Sequence, residues 1–230
     1  PRMRIVAGCR TLNEAHNVER FIAAHRSFVD DILIADGGST DNTVELAQEA
    51  GAKVRLFHEM VQCASGGHRN PYGRHINFMI DWAWDEQADF FIFDDCDDVP
   101  TLDLQGNARE LFETTGFSYI NVRRLYVVGE SSYYPALNMP GQSVWAWRRG
   151  TDVKAAEISP LVHDMLNIPG GDSVLMLEYP SGLLHYSWPN DAEIERKIRF
   201  YYSTGEGVLT NHPDTWAGPR AVLPSWAVWK

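Results

Sequence analysis

The chain has 230 residues and a formal net charge of −11, and 22% of its residues are charged. This length suits one α/β domain with a complete hydrophobic core, so we expect a single domain over residues 1–230. Because nucleic-acid phosphates and anionic lipids are bound by clustered Lys and Arg, the acidic balance excludes a broad nucleic-acid or membrane-binding surface.

From the sequence we expect neither a membrane-spanning segment nor a secretion signal. No run of roughly 18 residues is apolar throughout, and residues 1–6 lead directly into strand-like sequence. We therefore expect a soluble, cytoplasmic protein with no transmembrane segment. The 3 cysteines are not spaced like a disulfide framework or a zinc site, and small buried side chains are their ordinary role.

The first part of the chain alternates apolar runs with helical patterns. Residues 4–9, 31–36 and 52–57 are short apolar runs typical of strands. A helix capped by Asn13 is predicted between the first two runs, and a helix that stops at Gly51 between the second and third. Strand, helix and strand joined by short connections predict a parallel, right-handed α/β sheet.

A fourth apolar run, at residues 90–93, leads directly into the acidic stretch of residues 94–98. Alternate residues of an extended segment point the same way, so Asp95 and Asp97 can present two carboxylates to one point. Such carboxylates suit Mg²⁺ or Mn²⁺, which are usually held together with substrate phosphates. The alternative interpretation is a solvated acidic turn that closes a strand.

Three polar clusters follow predicted parallel strands, at residues 11–14, 36–41 and 94–98. Ligands of parallel α/β sheets bind beyond the carboxyl ends of the strands. The sequence therefore predicts a ligand site at this edge of the sheet. Arg69 and Arg74 are the basic residues nearest to it in sequence, and they are candidates to neutralise phosphate or are simply surface arginines.

The rest of the chain has weaker patterns. We predict helices over residues 104–115 and 191–203, strands over residues 118–128, 175–179 and 182–186, and a strand and turn over residues 145–150. Residues 205–230 have no clear periodicity.

Three segments resemble the family 2 glycosyltransferases of the GT-A fold. Residues 12–18 look like the Asn-Glu stretch that opens this family, and residues 36–43 resemble its Asp-x-Gly-Ser-Thr-Asp turn. Asp95-Cys96-Asp97 is similar to its Asp-x-Asp metal site. The order and spacing of all three match over roughly the first hundred residues. The resemblance implies a Rossmann-like, mostly parallel sheet flanked by helices.

The same resemblance implies the transfer of a sugar from a nucleotide-diphosphate sugar to an acceptor hydroxyl, with inversion at the anomeric carbon. A Mn²⁺ or Mg²⁺ ion on Asp95 and Asp97 would stabilise the charge that develops on the leaving diphosphate. By analogy, His185 would be a third metal ligand or a phosphate contact. The acceptor could be a glycan, a lipid, a protein or a modified nucleic acid.

By the same resemblance, Asp36 would accept hydrogen bonds from the nucleotide base or ribose. The pocket would also be lined by Thr11, Asn13 and Glu14, for which capping and turn formation are the alternative roles. The resemblance divides the domain into a nucleotide-sugar-binding half at residues 1–100, an acceptor and metal-completing half at residues 101–204, and a tail at residues 205–230.

An inverting transfer requires a general base that takes the proton of the acceptor hydroxyl. Asp164 is the first candidate and Glu157 the second, because both lie in the loop before the last predicted strand. Either residue could instead be an ordinary surface carboxylate, since the chain has 31 acidic residues.

Three other functions fit parts of the pattern. Residues 91–99 resemble the signature of haloacid-dehalogenase-like phosphatases, in which Asp95 would be the nucleophile. That signature normally lies on the first strand of its domain, and it leaves residues 36–43 unexplained. A sugar-nucleotide nucleotidyltransferase would usually open with a Gly-rich, basic loop, which residues 7–14 lack. A catalytically silent, GT-A-like module that binds carbohydrate or nucleotide is the non-enzymatic alternative.

Overall fold

A computed structural model describes residues 2–62, 68–129, 132–133, 143–155, 166–167, 174–188, 190–204, 220–222 and 224–227. These residues form a seven-stranded central sheet, a five-stranded second sheet and two short two-stranded ribbons. Within the described ranges, no helix combines the length and the apolar character that crossing a membrane requires.

The strands in chain order are β1 (Ile5–Thr11), β2 (Asp31–Asp36), β3 (Lys53–Leu56), β4 (Val61–Gln62), β5 (His68–Arg69), β6 (Phe90–Phe93), β7 (Asp98–Pro100), β8 (Tyr119–Val122), β9 (Arg124–Val128), β10 (Ser132–Tyr133), β11 (Ser143–Arg148), β12 (Lys154–Ala155), β13 (Leu166–Asn167), β14 (Val174–Met176), β15 (Leu183–Trp188) and β16 (Ala221–Val222). The helices are α1 (Val18–His25), α2 (Thr43–Glu49), α3 (Tyr72–Asp85), α4 (Leu102–Thr114), α5 (Asp191–Thr204) and a 3-10 turn at Ser225–Ala227.

The central sheet has the strand order β14-β8-β11-β6-β1-β2-β3. Its neighbours β6, β1, β2 and β3 are parallel, as the sequence predicts, whereas β11 runs antiparallel to both β6 and β8. Helices cover both faces, because alternate side chains of a strand point to opposite sides. Val6 packs with α3 on one face, and Ile5 and Cys9 pack with α4, α1 and α2 on the other.

The second sheet has the order β16-β10-β9-β15-β7 and lies beside the acidic stretch. β15 pairs antiparallel with β7, so that His185 lies opposite Asp98. It also pairs parallel with β9, which begins at Arg124. This pairing brings residues far apart in sequence to the carboxyl end of β6.

The structure corrects the predicted start of the first helix. α1 begins at Val18 and follows Asn17, so Asn13 is not its cap. Asn13 has a φ of 58°, in the left-handed region that short polar residues such as Asn can adopt. Its side-chain oxygen accepts a hydrogen bond from the backbone N–H of Thr40 at 2.8 Å. Asn13 therefore joins the end of β1 to the turn that follows β2.

Residues 118–128 form two strands instead of the single strand that their alternation predicts. β8 belongs to the central sheet and β9 to the second sheet, with Arg123 between them. The carbonyl of Arg123 accepts a hydrogen bond from the N–H of Leu183 at 2.9 Å. The chain therefore passes from one sheet to the other at Arg123.

His75 ties α3 to the central sheet beneath the predicted site. The side chain is buried, and its Nε2 donates to the carbonyl of Ala35 on β2 at 2.9 Å. Its ring stacks on Phe57, with the ring centres 4.3 Å apart. Burial, followed by the charge of Arg10, lowers the pKa of His75 to about 3. The imidazole is therefore neutral in the folded protein at all but strongly acidic pH.

We expect His75 to make the fold sensitive to mild acid. The unfolded chain protonates this residue near its ordinary pKa of about 6.5, so its contribution to stability is lost as the pH falls from there towards 3. His75→Gln keeps an N–H donor but does not titrate. The free energy of unfolding of the wild type, relative to the variant, should fall by about 1.4 kcal/mol per pH unit below pH 6. Urea unfolding at pH 7, 6 and 5 measures this difference, and exposed His58→Gln is the control. Parallel pH profiles for the wild type and His75→Gln would contradict it.

Candidate active site

The polar ends of β1 and β2 meet at the predicted edge of the sheet. Thr11 and Asp36 are opposite each other in the parallel register of these strands. The backbone N–H of Asn13 donates to Ser39 Oγ at 2.8 Å, and the N–H of Glu14 donates to Thr43 Oγ1 at 2.9 Å. The segment after β1 and the turn after β2 are thus one hydrogen-bonded unit.

Asp36 organises this unit from a fully buried position. Its Oδ1 accepts hydrogen bonds from the N–H groups of Gly38 at 2.9 Å and Ser39 at 2.8 Å. Its Oδ2 accepts from the hydroxyls of Thr11 at 2.9 Å and Ser39 at 2.5 Å. Within this structure, the carboxylate therefore holds the turn in shape. Its predicted contact with a nucleotide stays a prediction.

The turn after β2 contains two glycines, and each is required for a different reason. A Cβ on Gly37 would lie 1.9 Å from Asn70 Oδ1, and Gly38 has a φ of +98°. Asn70 is buried and held in place by its side-chain N–H groups, which donate to the carbonyls of Glu59 at 2.8 Å and Phe57 at 3.3 Å. Close approach of backbone and side chain therefore excludes larger residues at position 37. No local sequence pattern marks Asn70.

The two predicted phosphate-binding arginines lie on β5 and at the start of α3. Arg69 lies in β5 and pairs with Val61 of β4. Arg74 is exposed at the start of α3, and its guanidinium lies 3.0 Å from the carboxylate of Glu59. Their contact with phosphate stays a prediction.

The metal ligands predicted from the sequence come together at the carboxyl end of β6. Asp95, Asp97 and His185 each offer a ligand atom, and these atoms lie within 4.8 Å of one another. One divalent ion with ligand distances of about 2.0–2.6 Å fits such a triangle. The backbone N–H of Tyr186 donates to the carbonyl of Asp97 at 2.8 Å, so the strand pairing of β15 itself positions His185.

Asp98 supports this cluster from beneath. It is fully buried, and its Oδ1 lies 2.8 Å from His185 Nδ1. A carboxylate behind a histidine fixes the orientation of the ring for a metal on the other nitrogen. Burial alone would lower the pKa of His185, but the negative charges of Asp97 and Asp98 outweigh it and raise that pKa. Because the raised pKa favours the doubly protonated ring, a metal ion on the other nitrogen would compete with a proton for it.

Two arginines that the sequence did not reveal flank Asp95. The guanidinium of Arg10 lies over the ring of Tyr72, 3.6 Å from its centre, and 4.0 Å from Asp95 Oδ1. Arg124 lies 3.5 Å from Asp95 Oδ2 and 2.7 Å from Asp98 Oδ2. The position of Arg10 at the carboxyl end of β1 was a usable signal, whereas Arg124 comes from the distant strand β9. Both cations lie beside Asp95, one of the predicted metal ligands.

Glu14 lies close enough to the predicted metal ligands for the charge of Asp97 to change its pKa. Burial, followed by the charge of Asp97, raises the pKa of Glu14 to about 7, although Asn17 opposes this by donating to Glu14 Oε2 at 2.8 Å. Glu14 is therefore only partly ionised at neutral pH. The two candidates for the general base, Asp164 and Glu157, lie outside the described residues.

A mostly parallel α/β sheet with a cluster of metal-ligating side chains at the carboxyl end of a central strand is typical of nucleotide-binding enzymes. The sequence model of the family described as "Glycosyl transferase family 2" matches residues 10–166. The chain therefore belongs to glycosyltransferase family 2. This confirms the family that the three sequence segments indicated.

Comparison with solved structures confirms the predicted GT-A fold. TarS 1–349 of S. aureus in complex with UDP matches with a TM-score of 0.57 and 15% identity, over 86% of this chain and 64% of that chain. TarS 1–349 without a stated ligand matches with a TM-score of 0.54 and 16% identity, over 93% of this chain and 72% of that chain. At these identities the likeness concerns the fold.

A curated relative comes from Rickettsia felis (strain ATCC VR-1525 / URRWXCal2) and is described as an uncharacterized glycosyltransferase. It is 41% identical over 51 residues, which are 22% of this chain and 18% of that protein. The similarity thus covers less than a fifth of the relative.

Proposed function

We propose that this chain is a metal-dependent, inverting glycosyltransferase that moves a sugar from a nucleotide-diphosphate sugar to an acceptor hydroxyl. The observation that supports it best is the cluster of Asp95, Asp97 and His185, with ligand atoms within 4.8 Å, in a family 2 chain. Two carboxylates and an imidazole suit Mn²⁺ or Mg²⁺. The UDP bound by TarS makes uridine nucleotides the first donors to test.

When bound, the ion would neutralise the charge that develops on the leaving nucleoside diphosphate. Arg10 and Arg124, beside Asp95, would contribute further positive charge at the phosphates. Arg69 and Arg74 remain candidates for the same role.

The segment after β1 and the turn after β2 would form the nucleotide pocket. Asn13 and Glu14 border it, while Thr11 and Asp36 are buried and keep it in shape. Direct contact of Asp36 with the base or ribose would require the turn to open, because its carboxylate already accepts hydrogen bonds from Gly38 and Ser39.

Inversion requires a base on the acceptor side. We assign this role to Asp164, with Glu157 as the second choice, for an acceptor that is a glycan, a lipid, a protein or a modified nucleic acid. Asp164→Asn should abolish transfer and leave nucleotide affinity unchanged. Full activity in this variant would move the role to Glu157.

A nucleotide panel tests the proposal. Nucleoside diphosphates and nucleotide sugars are screened for a rise in melting temperature with and without Mn²⁺, since a ligand of the native state raises its apparent stability. We expect a rise that requires Mn²⁺, together with slow hydrolysis of the donor. The double variant Asp95→Ala with Asp97→Ala should lose the rise. The matched control removes two exposed carboxylates from α3, Asp81→Ala with Asp85→Ala. Binding that persists in the first variant would overturn the metal assignment.

A further inference from the structure

Lys197 makes a contact with the metal cluster that the proposed chemistry does not use. Its Nζ donates to Asp97 Oδ2 at 3.1 Å, and both side chains are largely shielded from solvent. Lys197 lies on α5, three residues after the fully buried Ile194. Residues three apart share one face of a helix, so the buried face of α5 directs Lys197 towards the site.

Asp97 stands between two partners. Its Oδ2 faces Lys197, while its Oδ1 lies 3.5 Å from Nδ1 of His185. A metal ion held by Asp97 would bring two positive charges close to the ammonium group, because Lys197 lies 3.1 Å from the same carboxylate. In a partly buried site this repulsion is screened much less than in water. The ammonium and the metal thus compete for the same carboxylate.

A bound diphosphate would replace the repulsion between the metal and Lys197 by an attraction. Its oxygens would lie on the metal, next to Asp97, and would offer the ammonium a new negative partner. Lysine is a compact charge on a flexible four-carbon stem and can move between neighbouring anions without rearranging the helix. Lys197 can therefore weaken the binding of the metal alone and strengthen the binding of the metal together with a diphosphate.

On this basis we infer that Lys197 is a diphosphate-binding residue that exchanges partners, from Asp97 in the empty site to the donor's phosphates in the loaded site. This inference rests on the proposed function, because it takes the diphosphate to be part of the donor. Its consequence is coupling: metal and nucleoside diphosphate each bind more tightly in the presence of the other, since Lys197 leaves Asp97 only when phosphate receives it.

Calorimetric titration of Lys197→Met tests the inference, because it predicts effects of opposite sign. Mn²⁺ alone should bind the variant about threefold to tenfold more tightly than the wild type, since the competing charge is gone. UDP at saturating Mn²⁺ should bind about tenfold more weakly, which is the typical worth of one charge-assisted hydrogen bond. The affinity for UMP, which lacks the second phosphate, should fall less than the affinity for UDP.

Two further variants separate this role from simple structural support. Arg199→Met removes the same charge from an exposed position of α5, where Arg199 pairs with Glu195 at 3.6 Å, and should change neither affinity. Lys197→Arg keeps the charge. Its affinities for Mn²⁺ alone and for UDP with Mn²⁺ should therefore stay closer to those of the wild type than to those of Lys197→Met. Weaker binding of both Mn²⁺ and UDP in Lys197→Met, or no change in either, would overturn the inference.

The failure of the proposed function would look different. If the wild type binds no nucleoside diphosphate with Mn²⁺, the proposed function and the diphosphate part of the inference are both wrong. The Mn²⁺ titration of Lys197→Met would still decide whether Lys197 competes for Asp97.

Discussion

Replacing His25 with alanine is expected to lower the free energy of unfolding by about 3–5 kcal/mol, because it leaves a cavity and removes a hydrogen-bond partner of the buried Asp94. His25 and Asp94 are fully buried, and Nε2 of His25 lies 2.8 Å from Asp94 Oδ2. The same oxygen accepts from Trp145 Nε1 at 2.9 Å. Asp94 Oδ1 has no hydrogen-bond partner among the described residues. Without His25, the carboxyl group would depend on Trp145 alone.

The protonation of this pair follows from its contacts. Nδ1 of His25 lies 2.8 Å from the carbonyl of Phe21, which can only accept, so Nδ1 carries a proton. A second proton must then lie between Nε2 and Asp94. Asn at position 94 cannot serve both Trp145 and a His25 that carries its only proton on Nδ1, because the amide group in place of Oδ2 either accepts from Trp145 or donates to Nε2. Asp94→Asn should therefore cost about 2–3 kcal/mol, the penalty for one unsatisfied buried group.

Chemical denaturation of the three proteins measures these losses. The control is His58→Ala, an exposed histidine whose removal should stay within about 0.5 kcal/mol. Because Asp94 directly precedes Asp95, the folded fraction of His25→Ala should also bind Mn²⁺ more weakly. If His25→Ala lowers the free energy of unfolding by less than about 1 kcal/mol, the pair of His25 and Asp94 does not stabilise the acidic stretch of residues 94–98.

The fold was predictable where the signal is local. The apolar run at residues 31–36 coincides with β2, and the helix predicted over residues 104–115 overlaps α4 (Leu102–Thr114). The division of residues 118–128 into β8 and β9 could not be predicted from local sequence. Alternation marks them as extended, but the sheet that each half joins depends on the partner of Arg123, which is Leu183.

The candidate site follows the same distinction. Asp95 and Asp97 were visible because they follow a buried strand two residues apart. His185 was suggested only by family resemblance, since its place opposite Asp98 depends on the antiparallel pairing of β15 with β7. Arg124 and Lys197 reach the site from β9 and α5, and no local pattern marks them. The supporting residues of a site are set by long-range packing.

Replacing Arg124 with methionine is expected to cost about 3–5 kcal/mol of stability, because it leaves a buried carboxylate without its cation. Nη2 of Arg124 lies 2.7 Å from Oδ2 of Asp98, which is fully buried. Burial would lower the pKa of Arg124, but Asp98, Asp95 and Asp94 outweigh it and raise the pKa above its ordinary value. This one guanidinium therefore offsets much of the repulsion within residues 94–98.

The metal distinguishes lost charge from lost packing in Arg124→Met. If charge dominates, a fixed concentration of Mn²⁺ should raise the melting temperature of the variant more than that of the wild type, because less neutralised carboxylates bind the ion more tightly. Arg74→Met breaks a surface ion pair with Glu59 and should cost no more than about 1 kcal/mol, with an unchanged response to Mn²⁺. An equal response to Mn²⁺ in Arg124→Met and the wild type would mean that Arg124 acts through packing, since the carboxylates would then be neutralised by other groups.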